Sequence, residues 1–243
     1  DSAAGNTTVG GGPVMPGSVV VSNTTKSYVL NTVIAGTTAV TKWGTNSLTL
    51  AGSNTFTGGI TVISGGVRIA SANALGAGTK LVYLTGVNGY KSRLILNGSA
   101  GNIILPAYVS FKTSNNDAVQ SAIINEAGNN TIAGDFILTT GGGPTAVNVQ
   151  AGTLTLGGIF RPDSATRSLD LMGTGNGIFS GALQNNGTFV PALNKSGTGT
   201  LTLAGGSAYI GSVSVSAGTL RLNSALLDGC TTVSLATGTH MDL

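Results

Sequence analysis

The sequence predicts an all-β solenoid, a single-stranded parallel β-helix of about a dozen rungs. Three observations predict it: a gapless internal repeat, short runs in which aliphatic and polar residues alternate, and 39 glycines set against only 5% aromatics in 243 residues. The repeat is the strongest of the three. Residues 42–76 contain TNSLTLAGSNTFTGGITVISGGVRIASANALG, and 195–229 contain TGTLTLAGGSAYIGSVSVSAGTLRLNSALLDG. Lys42 falls on Lys195, Leu48 on Leu201, Gly52 on Gly205, Phe56 on Tyr209 and Arg68 on Arg221. A shorter echo, AGTLTLGG at 151–158, lies between the copies.

Within each copy the period is two. Leu48 and Leu50 alternate with Ser47 and Thr49, Ile60 and Val62 flank Thr61, and Val67 and Ile69 flank Arg68. Leu201/Leu203, Val213/Val215 and Leu220/Leu222 repeat the pattern. A period of two puts the aliphatics on one side of a strand and Thr, Ser or Arg on the other. Gly52-Ser53-Asn54, Thr57-Gly58-Gly59 and Ser64-Gly65-Gly66 then read as turns. No window sustains apolar spacing of three and four, so essentially no helix is expected. Short strands with glycine corners suit a sandwich, a barrel or a β-helix. A sandwich of this size carries an aromatic nucleus, and one Trp, five Tyr and six Phe are too few. A solenoid instead stacks like aliphatics rung upon rung, about 4.8 Å apart. With about 20 residues per turn this gives a rod on the order of 50 Å long.

Composition excludes other classes. Charged residues make up 8% of the chain, against roughly 25% in ordinary domains. A coiled coil, a charge-driven disordered chain and a polybasic nucleic-acid binder are thereby excluded. The pI near 9.2 rests on a net charge of only +3, too weak a field to steer towards phosphate or lipid. Apolar runs such as Val19-Val20-Val21 and Ile103-Ile104-Leu105 are too short to span a bilayer. Cys230 is the single cysteine, so neither an intrachain disulfide nor a thiolate cage is expected. Asp1 in place of Met points to a processed or excised chain.

GTGTLTLAGG followed by SVSVSAGTLRL resembles the autotransporter-associated β-strand repeat, whose pattern runs K-x-G-x-G-x-L-T-L-x-G-x-N-x-aromatic. The match is strong at 42–69 and 195–222 and looser at 121–158. The resemblance implies a secreted, right-handed parallel β-helix at a bacterial surface, and a structural rather than catalytic role. The chain lacks the family's C-terminal translocator barrel and reads as a passenger-type module.

The acids are Asp1, Asp117, Glu126, Asp135, Asp163, Asp170, Asp228 and Asp242. A glycosidase needs two carboxylates about 5–9.5 Å apart, and no two of these share a strand with one residue between them. The densest charged cluster, RPDSATRSLD with Arg161, Asp163, Arg167 and Asp170, reads as a solvated loop protruding from the rod. Glu126 and Asp135 are the pair that adjacent rungs would bring together. His240, the only histidine, lies near the chain end, a poor place for a Ser-His-Asp relay. GTGNG at 173–177 and GTG at 197–199 read as corners, not phosphate loops. No catalytic residue, cofactor or metal is therefore assigned. The outward pairs Ser47/Thr49, Thr153/Thr155 and Thr200/Thr202 serve solubility first. Ice binding is the remote reading, and no thermal hysteresis would remove it.

Residues 1–17 are read as a flexible Gly/Pro-rich arm and 18–243 as the β-helix. The chain keeps strand character to Met241-Asp242-Leu243, so no cap is expected, and an uncapped rung is a template for pairing. Head-to-tail stacking into a homopolymer follows, with Val9, Val14, Met15, Val19, Val233, Leu235, Met241 and Leu243 as the interface. Such a contact does not close and gives a filament or surface layer. The alternatives are an adhesin-type passenger that binds glycans or host matrix, for which Tyr83, Tyr90, Tyr108 and Phe111 are the candidate exposed aromatics, and a polysaccharide-active enzyme.

Overall fold

Alternation buries every second side chain of a strand, and the buried set lines the inside of a coil in the computed structural model. The structure describes residues 7–86, 91–114, 121–139, 144–205, 211–223, 227 and 230–243. The strand ladders within its three sheets are all parallel. A first face holds eleven strands, from Thr7–Val9 to Thr232–Leu235. A second face holds seven, from Ile104–Leu105 to His240–Asp242, and a third also seven, from Ser18–Ser22 to Phe160–Pro162. The coil makes about nine turns, fewer than the expected dozen rungs. The coil is wider than 20 residues in its middle: Leu94 pairs Ile123 and Val147 pairs Leu171, 29 and 24 positions on.

The interior is a set of ladders. Leu48, Val67, Leu94, Ile123, Val147 and Leu171 stack in register on the first face, and all are buried. The aromatics contribute more than composition suggests. Phe111, Phe136 and Phe160 pair in register on the third face, with ring centroids 4.6 and 4.4 Å apart, and Phe179 meets Phe160 edge-on at 5.1 Å. Phe111 is thus a core residue, not an exposed aromatic. The one described helical element is a single 3₁₀ turn, Ala72–Leu75, which tucks Ala74 and Leu75 into the core.

Part of the N-terminal arm belongs to the coil. Thr7–Val9 pairs with Tyr28–Leu30, and Val14 bridges Ile34. The segment RPDSATRSLD does not protrude either. Phe160–Pro162 closes the third face, Ser168–Met172 lies in the first, and only 163–167 turn between them.

The two copies of the repeat occupy different faces. In the first, Ala39–Trp43 lies on the third face and Ser47–Leu50 on the first. In the second, Ala192–Lys195 lies on the first face and Thr200–Leu203 on the second. Each copy makes more than one circuit, since Val40 pairs Ile60 and Leu48 pairs Val67 within the first, and the second copy starts one face further round. Both copies close a corner in the same way. Gly65 and Gly218, equivalent in the repeat, each have φ of +73°, a region that glycine enters without steric cost. Beneath them a buried lysine satisfies the corner carbonyls. Lys42 Nζ donates to the carbonyls of Trp43, Gly44 (2.7 Å) and Ser64 (3.3 Å), and Lys195 Nζ to those of Gly197 and Ala217 (3.1 Å).

One core position is underfilled. Gly177 stands in register with Leu154 and Leu201, beside a void of about 10 Å³ lined by Leu171, Lys195 and Leu201. A Cβ there would meet methyl ends of Leu201 and Leu171 at 3.2 and 3.3 Å, both flexible side-chain ends that border the void. Gly177→Ala is expected to stabilise by about 0.5–1 kcal/mol, mainly by restricting the unfolded chain; a urea melt with a raised midpoint and unchanged slope checks this.

Candidate interaction surface

Strands on the third face turn alternate side chains outward, and parallel register aligns them along the rod. Val20, Thr41, Thr61, Tyr83, Lys112, Ile137 and Arg161 form one outward column. Trp43, Leu81 and Tyr108 flank it, and all three are exposed, at 45%, 39% and 49%. Val20, at the column's start, is 63% exposed. Large apolar groups left in water on one flank suggest a contact surface more than isolated exposed residues would. The Lys112 ammonium lies 5.9 Å from the Tyr83 ring centroid and 3.8 Å from an Asp163 carboxylate oxygen. Of the four aromatics singled out from sequence, Tyr83 and Tyr108 lie here, Phe111 is interior and Tyr90 falls outside the described residues. Trp43 was missed, although its alternation with inward Val40 and Lys42 marks it as outward-facing.

The second face is polar. Thr131, Thr155, Ile178, Thr202, Arg221 and Asp242 form one outward column in register, and Asn129, Thr153, Asn176, Thr200, Thr219 and His240 a second. The threonine pairs 153/155 and 200/202 are thus brought onto one flank, but Asn176 and Ile178 separate them. His240 pairs with Thr219 at the end of this face.

The carboxylates are dispersed. Glu126 accepts from Arg68 at 2.7 Å and Asn97 at 2.9 Å on the first face. Asp135 accepts from the Ile159 N–H at a corner. The two are not brought together, because they sit on different sides of the coil. Asp170 accepts from Asn194 at 2.7 Å, and Arg167 donates to the Thr139 carbonyl at 3.0 Å. Asp242 pairs with Arg221 at 3.1 Å. Among the described residues no three His, Cys, Asp or Glu side chains gather in a metal-holding group. A groove of about 260 Å³, where the third face has ended, is lined by Thr166, Val190, Pro191, Ala192, Gly211, Ser212 and Thr231. None of these residues supplies an acid or base.

The strongest electrostatic anomalies lie inside. Burial lowers the ammonium of Lys42 and that of Lys80 from 10.5 to about 8, and Lys195 is lowered for the same reason. Lys80 donates to the Phe56 carbonyl at 2.8 Å and lies 4.2 Å over its ring. A lysine whose pKa is lower folded than unfolded leaves the unfolded chain holding more protons between those values. Stability therefore rises with pH between about 8 and 10.5. The melting temperature is expected to climb across that window, and less steeply in a Lys42→Met variant.

The residues expected to join rods divide between the two ends. Val9, Val14 and Met15 are exposed at one end, and Val233, Leu235 and Leu243 at the other. Val19 packs partly against the core and Met241 is half-buried. Cys230 is half-buried and contacts the Thr232 carbonyl.

Residues 40–67 and 193–222 match the passenger-associated-transport-repeat family. Two stretches of the chain are thus similar to that repeat. Outer membrane protein A of Rickettsia rickettsii is 27% identical over 249 residues, an alignment covering 94% of this chain and 11% of that protein. The adhesin BmaC autotransporter of Brucella suis biovar 1 (strain 1330) is 28% identical over 215 residues, covering 88% of this chain and 5% of the relative. The chain thus spans only a small part of the curated relatives it matches. No solved structure matches it significantly. Both relatives carry names of the cell surface, an outer membrane protein and an adhesin autotransporter. Both repeat matches coincide with the lysine-and-glycine corners described above, so the family pattern has a mechanical meaning: it encodes a turn of the coil.

Proposed function

We propose that this chain is a non-enzymatic segment of an adhesive passenger rod, displayed at a bacterial surface and engaging glycan or matrix with its flank. The observation that carries the reading is the exposure of Trp43, Leu81 and Tyr108 beside Tyr83 on one side of a solenoid. An enzyme needs a formed cleft with paired acids, whereas adhesion needs an extended flank with aromatic and polar groups. The coil is taken as right-handed, the hand of about 98% of parallel crossovers. Beads coated with the folded chain should adhere to host-cell or matrix surfaces above beads coated with a Trp43→Ala/Tyr108→Ala variant of equal melting temperature. Equal adhesion by both would overturn the reading.

A second reading is supported by the exposed apolar groups at opposite ends: coils stack end to end, the strand Thr232–Leu235 of one rod pairing with the first coil of the next. Unpaired strand edges favour such contacts. Electron microscopy at high concentration should then show fibres that Met241→Lys/Leu243→Lys abolishes while the melting temperature is retained. Isolated short rods from the unchanged chain would exclude it.

A further inference from the structure

We infer that the outer side of the third face binds an acidic polysaccharide, one that carries a carboxylate or sulfate on every second sugar and lies along the rod axis. The inference rests on the adhesive reading and names its ligand. In the outward column Lys112 and Arg161 stand two rungs apart, with Ile137 between them. Two rungs advance about 9.6 Å, which matches the roughly 10 Å step of an extended disaccharide. The backbone positions of the two cations therefore match successive acidic groups, with Ile137 between them, and the Lys112 ammonium, which leans to Asp163 in the free chain, swings back over its own rung to meet the anion.

Tyr83 continues the same column one rung before Lys112. A half-exposed ring at that point offers a flat apolar surface to the C–H face of a pyranose, with the ammonium of Lys112 beside it at 5.9 Å. Further along, Thr61 and Thr41 supply hydroxyls in the same line. Among the described residues two carboxylates lie near this end of the column: Asp163, 3.8 Å from Lys112, and Asp135, which lies two positions before Ile137 and accepts from the Ile159 N–H. Asp163 holds the ammonium loosely, at a distance beyond a good charge-assisted hydrogen bond, and an incoming anion would compete with it. The same spacing disfavours a neutral glycan as the preferred ligand, since such a chain leaves both cations without new partners.

Calorimetry on the full chain with a hyaluronan octasaccharide, at low salt, tests the assignment. Binding is expected, weakening as salt is raised. Lys112→Gln/Arg161→Gln should lower affinity about tenfold or more, the loss of one charge-assisted contact being worth at least that factor. Tyr83→Ala should also weaken binding. Asp163→Asn should strengthen it, a gain that a merely structural role for the carboxylate would not give. Arg68→Gln, on the first face, should leave affinity unchanged. Equal binding of a neutral dextran octasaccharide, or a loss with Arg68→Gln equal to that of the double variant, overturns the assignment. No hyaluronan binding by a chain whose beads still adhere also overturns it and leaves the adhesive reading standing; beads that do not adhere overturn that reading itself.

Discussion

Gly65→Ala should lose more than about 4 kcal/mol of stability, the range reserved for a few mechanisms of severe damage. Two of those mechanisms act together here. The backbone sits at φ +73°, where a Cβ costs roughly 1–2 kcal/mol. The added carbon would also lie closer than 3.0 Å to the carbonyl oxygens of Asn46 and Gly44 and to the Lys42 ammonium. Those carbonyls belong to the corner itself, and Lys42 already holds the Gly44 oxygen, so nothing can move aside without breaking the lysine's bonds. Gly218→Ala should be similarly severe, since its Cβ would crowd the carbonyls of Gly197, Thr198 and Gly199. Gly238 separates the two contributions: its φ is +81°, with nothing within 4 Å of where a Cβ would lie. Gly238→Ala should therefore cost only about 1–2 kcal/mol. Denaturant melts of the three variants check the ranking, and equal losses at Gly65 and Gly238 would show that crowding is irrelevant.

Phe136→Ala should cost about 3–5 kcal/mol, the usual range for deleting a buried aromatic. Phe136 is fully buried and sits between two stacked partners, so its removal leaves Phe111 and Phe160 facing a gap. Phe136→Leu should recover part of the loss by refilling volume without the ring contacts. Phe179→Ala, at the edge-on end of the series, should cost less because it breaks only one such contact. Calorimetric or chemical melts give the order; a loss at Phe179 exceeding that at Phe136 would contradict the stacking argument.

How much of this was legible depends on the range of the interaction. Period-two alternation gave the inward set at Leu48, Leu50, Val67 and Ile69 correctly, because a strand's faces are fixed by the backbone alone. The same rule, applied to Val109-Ser110-Phe111-Lys112, places Phe111 inside with Val109; treating it as a surface aromatic ignored its neighbours. The phenylalanine ladder also had a signal in the spacing of Phe111, Phe136 and Phe160, close to one turn apart. What could not be read is anything set by register between coils. The 29-residue coil between Leu94 and Ile123 shifts everything after it, and turn length is decided by how loops pack. For the same reason Glu126 found Arg68, 58 positions earlier, and not the nearer Asp135. Trp43, Lys112 and Arg161 meet on one flank only once the coils are wound, so the candidate surface was visible in the sequence as residue types but not as a place.

Since the duplicated unit is a circuit with its own corners and not a side, its two copies start on different faces while the ladder of the first face runs on past both. A lineage that lengthens its shaft by copying such units need not line up its ornament. Successive copies can point in different compass directions, so a single thin spar can present unlike chemistries to targets lying on different sides of it.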